Sequence, residues 1–123
     1  MRYLWIGLAG AAGALGRYAV GGLVLRGRET AFPWGTLVVN VSGCFLLGLV
    51  FTVLTERFAV APVLRTALTV GFLGAYTTYS TFALETARLI EDGALGLGLA
   101  NVALSAVAGL GAVWLGIVLG RAI

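Results

Sequence analysis

The chain has no histidine and a single cysteine, Cys44, in 123 residues. The usual side-chain ligands of transition metals are therefore missing, and a disulfide within the chain is impossible. Lysine is absent as well. All eight basic residues are arginines, set against five acids for a net charge of +3. They are scattered, with no run or stripe that would track a nucleic acid, so no nucleic-acid partner is expected. Without histidine, a catalytic acid pair or an activated nucleophile, the chain reads as a protein that is not an enzyme. Charge of either sign is scarce, at 11% of residues.

What the chain has instead is apolar length. Hydrophobic residues make up 60% of it, and its mean hydropathy is +1.03, far outside the soluble globular range. These values define an integral membrane protein whose solvent is the lipid bilayer. At about 20 residues per span, the expected fold class is all-α, one domain over residues 1–123 with four transmembrane helices. The spans fall at about 3–25, 34–55, 62–90 and 95–120, joined by short loops. The first is long enough to stay in the membrane and shows no small-residue cleavage site, so no secretory signal is expected.

One stretch breaks the apolar rule. From Gly71 to Phe82 the sequence reads Gly-Phe-Leu-Gly-Ala-Tyr-Thr-Thr-Tyr-Ser-Thr-Phe, midway along the third span. Glycine weakens a helix interior, and threonine and serine offer the backbone competing hydrogen bonds. The pattern predicts a third helix broken near Gly74 to Thr78, at mid-membrane. Unpaired backbone groups at that depth persist only if buried against protein, lining water or holding an ion. A helix restarting near Thr78 would aim its N-terminal amides at the bilayer middle, where they favour an anion.

Other polar residues lie at similar depth. Arg17 sits eight residues before the end of the first span, about 12 Å below it at 1.5 Å per residue. It either snorkels outward or faces a water-filled vestibule that attracts anions. Asn40, Ser42 and Gly43 lie near the middle of the second span, where the asparagine amide serves either as interhelical glue or as a donor to an ion. Tyr79, Phe82 and Glu85 follow one another at i, i+3 spacing and so share a helical face. Asn101 and Ser105, four apart, make a short polar track on the fourth span. Glycines at 7, 10, 13 and 16, and the pair Gly116 and Gly120, let helix backbones approach closely.

Orientation has no sequence signal. The N-terminus, second loop and C-terminus carry Arg2, Arg57, Arg65 and Arg121, and the opposite loops carry Arg26, Arg28 and Arg88. Four against three gives no preferred topology under the positive-inside rule. Four short helices enclose little interior, so a dimer is expected, and an evenly inserted population could pair antiparallel.

Three runs, Gly-Ala-Leu-Gly-Arg-Tyr (13–18), Trp-Gly-Thr-Leu-Val-Val-Asn-Val-Ser-Gly (34–43) and the stretch 71–82, together resemble the Fluc fluoride channels, also called CrcB proteins. The resemblance covers essentially the whole chain. It implies an antiparallel, dual-topology homodimer with two fluoride pathways in the plasma membrane of a bacterium or archaeon, passively exporting fluoride to relieve its toxicity. It further implies that Asn40, Tyr79, Phe82, Ser80, Thr81 and Ser105 line the fluoride pore and that Arg17 and Glu85 occupy vestibule positions. A structural sodium ion on the dimer axis would be held by the backbone carbonyls of Gly74 and Thr77. Two residues depart from the family pattern: Tyr79 stands where phenylalanine is usual, and Asn101 where tyrosine is common. The competing reading is a proton-coupled exporter like the small multidrug resistance transporters. Exchange of that kind needs a titrating intramembrane carboxylate; the first span has none, and Glu85 is the only candidate within any span.

Overall fold

The computed structural model describes every residue from Met1 to Ile123, and apart from turns and termini the chain is helical. Helix α1 (Arg2–Leu25) is followed by a turn through Gly27, whose φ of 69° suits glycine. Pro33 precedes α2 (Trp34–Thr52), and the tilted ring pair Phe32 and Trp34, 4.7 Å apart, closes the loop between them. A π-helical turn, Val53–Arg57, continues α2 to its end. The third segment comes in pieces: α3 (Pro62–Thr66) opens with proline at its first position, widens into a π-helical stretch Ala67–Leu73, and ends as the short α4 (Gly74–Tyr76). After Thr77 and Thr78, α5 (Tyr79–Glu91) begins. Gly93, at φ 82°, turns the chain into α6 (Leu95–Ala122).

Three helices are long and apolar enough to cross a membrane: α1, α2 with its π-helical extension, and α6. They make the chain a multi-pass membrane protein. The interrupted third segment packs among them. Close packing rests on missing side chains. At Gly13 of α1 a Cβ would run into the Phe72 carbonyl, and at Gly48 of α2 into the Val113 carbonyl of α6. At Gly116 it would stand 2.7 Å from the Leu49 amide nitrogen. Backbone thus lies directly on backbone across α2 and α6, the most extensive pairing in the molecule.

Only 20 of the 123 residues are buried, while Leu15, Tyr18, Val107, Leu110 and Trp114 are largely exposed. In water such a surface would be untenable. In hydrocarbon it is the expected outer face, and α6, apolar all round, has the composition of a lipid-facing span. At one end, Arg121 donates through Nε and a terminal nitrogen to both carboxylate oxygens of Glu56, at 3.0 and 3.2 Å, tying the last turn of α6 to the end of α2.

The helix interruption and its two clefts

The break falls at Thr77 and Thr78. Their backbones are extended, at φ −82°, ψ 156° and φ −147°, ψ 112°. The expected window reached back to Gly74, but Gly74 is helical, at φ −63°, ψ −36°. Glycine permits a break without forcing one; here the two threonines carry it.

An extended residue at this depth exposes one N–H and one C=O, and both need partners. Asn40 supplies them. Its Nδ2 donates to the Thr78 carbonyl at 2.9 Å, and its Oδ1 accepts from the Thr78 amide at 2.7 Å. The amide group acts as a one-residue β-strand, using both ends to satisfy the backbone. Gly43, one turn further along α2, leaves space for Thr77, since a Cβ there would collide with the threonine methyl and the Tyr76 ring. Ser42 and the Tyr76 hydroxyl share a hydrogen bond of 2.9 Å. On the far side, Thr78 caps α5: its Oγ1 accepts from the Thr81 amide at 3.2 Å and donates to Thr81 Oγ1 at 2.9 Å.

Two clefts flank this junction. The first, about 480 Å³, lies between α2, the break, α5 and α6, and is lined by Asn40, Cys44, Thr77, Tyr79, Phe82 and Ser105 among others. The Tyr79 and Phe82 rings are 5.7 Å apart and tilted by 47°. The second, about 390 Å³, lies between α1, α2 and the start of α5 and includes Arg17, Thr36, Thr78 and Thr81. Glu85 stands beside it, with one carboxylate oxygen accepting from Thr36 Oγ1 at 2.8 Å and the other buried without a partner. Arg17 does not pair with Glu85; the one ion pair is Arg121 with Glu56.

The structure therefore divides the sequence-derived set. Asn40, Tyr79, Phe82 and Ser105 come together in the first cleft, and Arg17 and Thr81 in the second. Ser80 is exposed and lines neither. Glu85 was expected on the same face as Tyr79 and Phe82, yet it engages Thr36 on the other side. Three residues of helix fall short of a turn, so two such steps rotate Glu85 about 120° away from Tyr79. The track of Asn101 and Ser105 holds, with Ser105 Oγ donating to Asn101 Oδ1 at 3.5 Å, but only Ser105 lines the first cleft; Asn101 is 1% exposed, behind it, donating to Thr86. Thr36 was not singled out in the sequence, and Thr78 was named only as the point where the helix restarts. Thr36 could have been found four residues before Asn40, one turn away on α2.

No cluster of acidic, histidine or cysteine side chains could hold a metal. Backbone carbonyls are the alternative. Thr77 is extended and half-buried, and Gly74 is exposed on the chain's surface. Neutral carbonyl oxygens are hard donors that suit an alkali cation, though two from one chain fall short of a full shell.

Apolar spans surrounding an interrupted helix, with aromatic and amide groups gathered at the interruption, define a membrane protein organised around a polar junction. The family model described as "CrcB-like protein, Camphor Resistance (CrcB)" matches residues 4–117, and the chain belongs to that family. A protein of Acidobacterium capsulatum named "Fluoride-specific ion channel FluC" is 47% identical over 123 residues, covering 100% of this chain and 98% of the relative. A Solibacter usitatus protein of the same name is 50% identical over 121 residues, 98% and 99% of the two chains. A third, from Citrifermentans bemidjiense, is 48% identical over 120 residues, 98% and 97%.

Proposed function

We propose that this chain is a fluoride-specific ion channel that passively releases fluoride from the cytoplasm. The observation that carries the reading is the first cleft: Asn40, Tyr79, Phe82 and Ser105 converge where α5 starts, in a chain whose relatives bear that name. An anion there would meet the positive end of the α5 dipole and the electropositive edges of two aromatic rings. Asn40 Nδ2 gives one hydrogen to Thr78 and keeps a second for the ion. The Arg17 guanidinium, in the neighbouring cleft, would draw anions to the entrance, with Thr81 in the same cleft and Glu85 beside it completing the polar route. Hydrogen fluoride enters neutral and dissociates in the less acidic cytoplasm. The trapped anion then leaves only through such a path.

The working unit we propose is an antiparallel, dual-topology homodimer of four-span subunits in a bacterial plasma membrane, with two pores. Balanced arginine counts on the two sides and a large exposed apolar surface support it. Two copies would bring the carbonyls of Gly74 and Thr77 together in pairs around a central sodium ion, completing the shell that one chain lacks. The proton-coupled exporter reading would need Glu85 to alternate between proton and substrate, and the relatives' names do not favour it.

The test is fluoride and chloride efflux from liposomes holding the purified protein, with a potassium ionophore clamping the voltage. Rapid fluoride release with chloride retained is expected. Folded protein that releases neither ion would end the channel reading, and flux that requires a proton gradient and disappears in Glu85→Gln would favour the exporter.

A further inference from the structure

Behind the first cleft lies a buried amide that the proposed pore does not use. Asn101 on α6 is one of the two largest fully buried side chains, 1% exposed. Burial of an amide is unfavourable unless both its ends are engaged, and here they are. Asn101 Nδ2 donates to Thr86 Oγ1 at 2.9 Å, and Thr86 Oγ1 donates in turn to the Phe82 carbonyl at 2.8 Å. At the other end, Ser105 Oγ donates to Asn101 Oδ1 across a long 3.5 Å. The chain of bonds thus begins and ends on two residues that line the cleft.

Direction matters because a serine hydroxyl has one proton. While Ser105 gives it to Asn101, the oxygen presents only lone pairs to the cleft, which an anion avoids. A half turn of the amide exchanges donor and acceptor. Nδ2 then faces Ser105, and Oδ1 accepts from Thr86, whose hydroxyl leaves the Phe82 carbonyl to its ordinary helix bond. In this second arrangement the Ser105 proton is free to point into the cleft, and its donation is strengthened because the same oxygen now accepts. Both arrangements keep the buried amide paired.

We propose that Asn101 is a positioning residue for anion passage: by reversal of its buried amide it decides whether the Ser105 hydroxyl donates to Asn101 or into the cleft beside Asn40, Tyr79 and Phe82. The proposal rests on that cleft being the fluoride path. Asn101 touches no ion itself. It acts through Ser105.

The experiment is a double-mutant cycle read as the fluoride efflux rate from liposomes, with Ser105→Ala, the near-isosteric Asn101→Leu, and the two combined. Ser105→Ala is expected to slow efflux about tenfold, the scale of one lost hydrogen bond to a charged group. Asn101→Leu should slow it comparably, because the freed hydroxyl turns back to a carbonyl of its own helix. In the Ser105→Ala background, Asn101→Leu should add less than about twofold, whereas a packing role would multiply the two effects. If Ser105→Ala conducts like the parent, the placement of Ser105 in the path and the proposal fall together. If it is impaired while Asn101→Leu is normal, or the effects multiply, the proposal is overturned and the cleft reading stands. Should Asn101→Leu not fold, Thr86→Val replaces it, removing the hydroxyl that holds the other end of the amide. Its effect on efflux must vanish when residue 105 is alanine; a Thr86→Val protein that conducts normally, or whose effect persists, overturns the proposal.

Discussion

The α2–α6 pair and the Thr77–Thr78 interruption solve the same problem in opposite ways. In both, backbone comes close to foreign backbone or side chain at membrane depth. Where α2 and α6 meet at Gly48 and Gly116 the helices are unbroken and their amides are spent on the helix pattern, so the surfaces need only be thin, and these glycines make them so. At Thr78 the helix pattern is suspended, and a specific polar side chain, Asn40, must replace it. Packing by small residues is insensitive to chemistry and intolerant of volume. Pairing by an asparagine is the reverse.

The largest expected effect follows from the first half of that comparison. In Gly116→Val the new side chain meets the Phe45 carbonyl and the Leu49 amide, neither of which can move without shifting a helix. Overpacking of a rigid contact costs about 1–3 kcal/mol and more when backbone must shift. Thermal unfolding in detergent should show the protein lost or strongly destabilised; a melting temperature like the parent's would mean that α2 and α6 are not held by backbone approach.

Next in size is Asn40→Asp, which preserves volume and changes only chemistry. A carboxylate still accepts from the Thr78 amide but cannot donate to its carbonyl, and it places negative charge in the cleft. An unpaired buried carbonyl and a repelled anion act in the same direction, so efflux should fall about a hundredfold or more. The outcome that would break the assignment is undiminished flux in folded protein. Phe82→Ile sharpens the point from the other side: it keeps the apolar volume near the cleft and removes the electropositive ring edge, so fluoride efflux should drop about tenfold with little change in thermal stability. Equal losses of stability and flux would reduce Phe82 to packing.

The sequence showed the interruption more clearly than its mechanism. Polar and small residues clustered in 71–82 are a local signal, and the extended backbone lies within that stretch. What holds it open is Asn40, 38 residues away in sequence, and no local pattern reveals which end of an amide finds which backbone group. The same limit explains Glu85 and Asn101. Spacing grouped Glu85 with the aromatics, but helical phase drifts over six residues; it grouped Asn101 with Ser105, and the two do bond, yet the partner helix decides that Asn101 is the one covered. The π-helical widening at Ala67–Leu73 has no clear sequence sign either. It lies against α1 around Gly13 and Gly71, where α1 and the third segment come together.

The smallest effect is expected at Tyr79. Its side chain is 81% exposed, and its hydroxyl forms no hydrogen bond within the chain. Its ring, 5.7 Å from Phe82, is the part that faces a neighbour in the cleft. Removing the oxygen in Tyr79→Phe leaves that ring edge in place, so fluoride efflux should stay within about twofold of the parent, and stability should not change. A strong loss of flux would assign the hydroxyl a direct hydrogen bond to the passing ion. The aromatic pair would then be unequal, with Phe82 acting through its ring edge and Tyr79 through its oxygen, and the polar half of the cleft would extend one helical turn nearer the break.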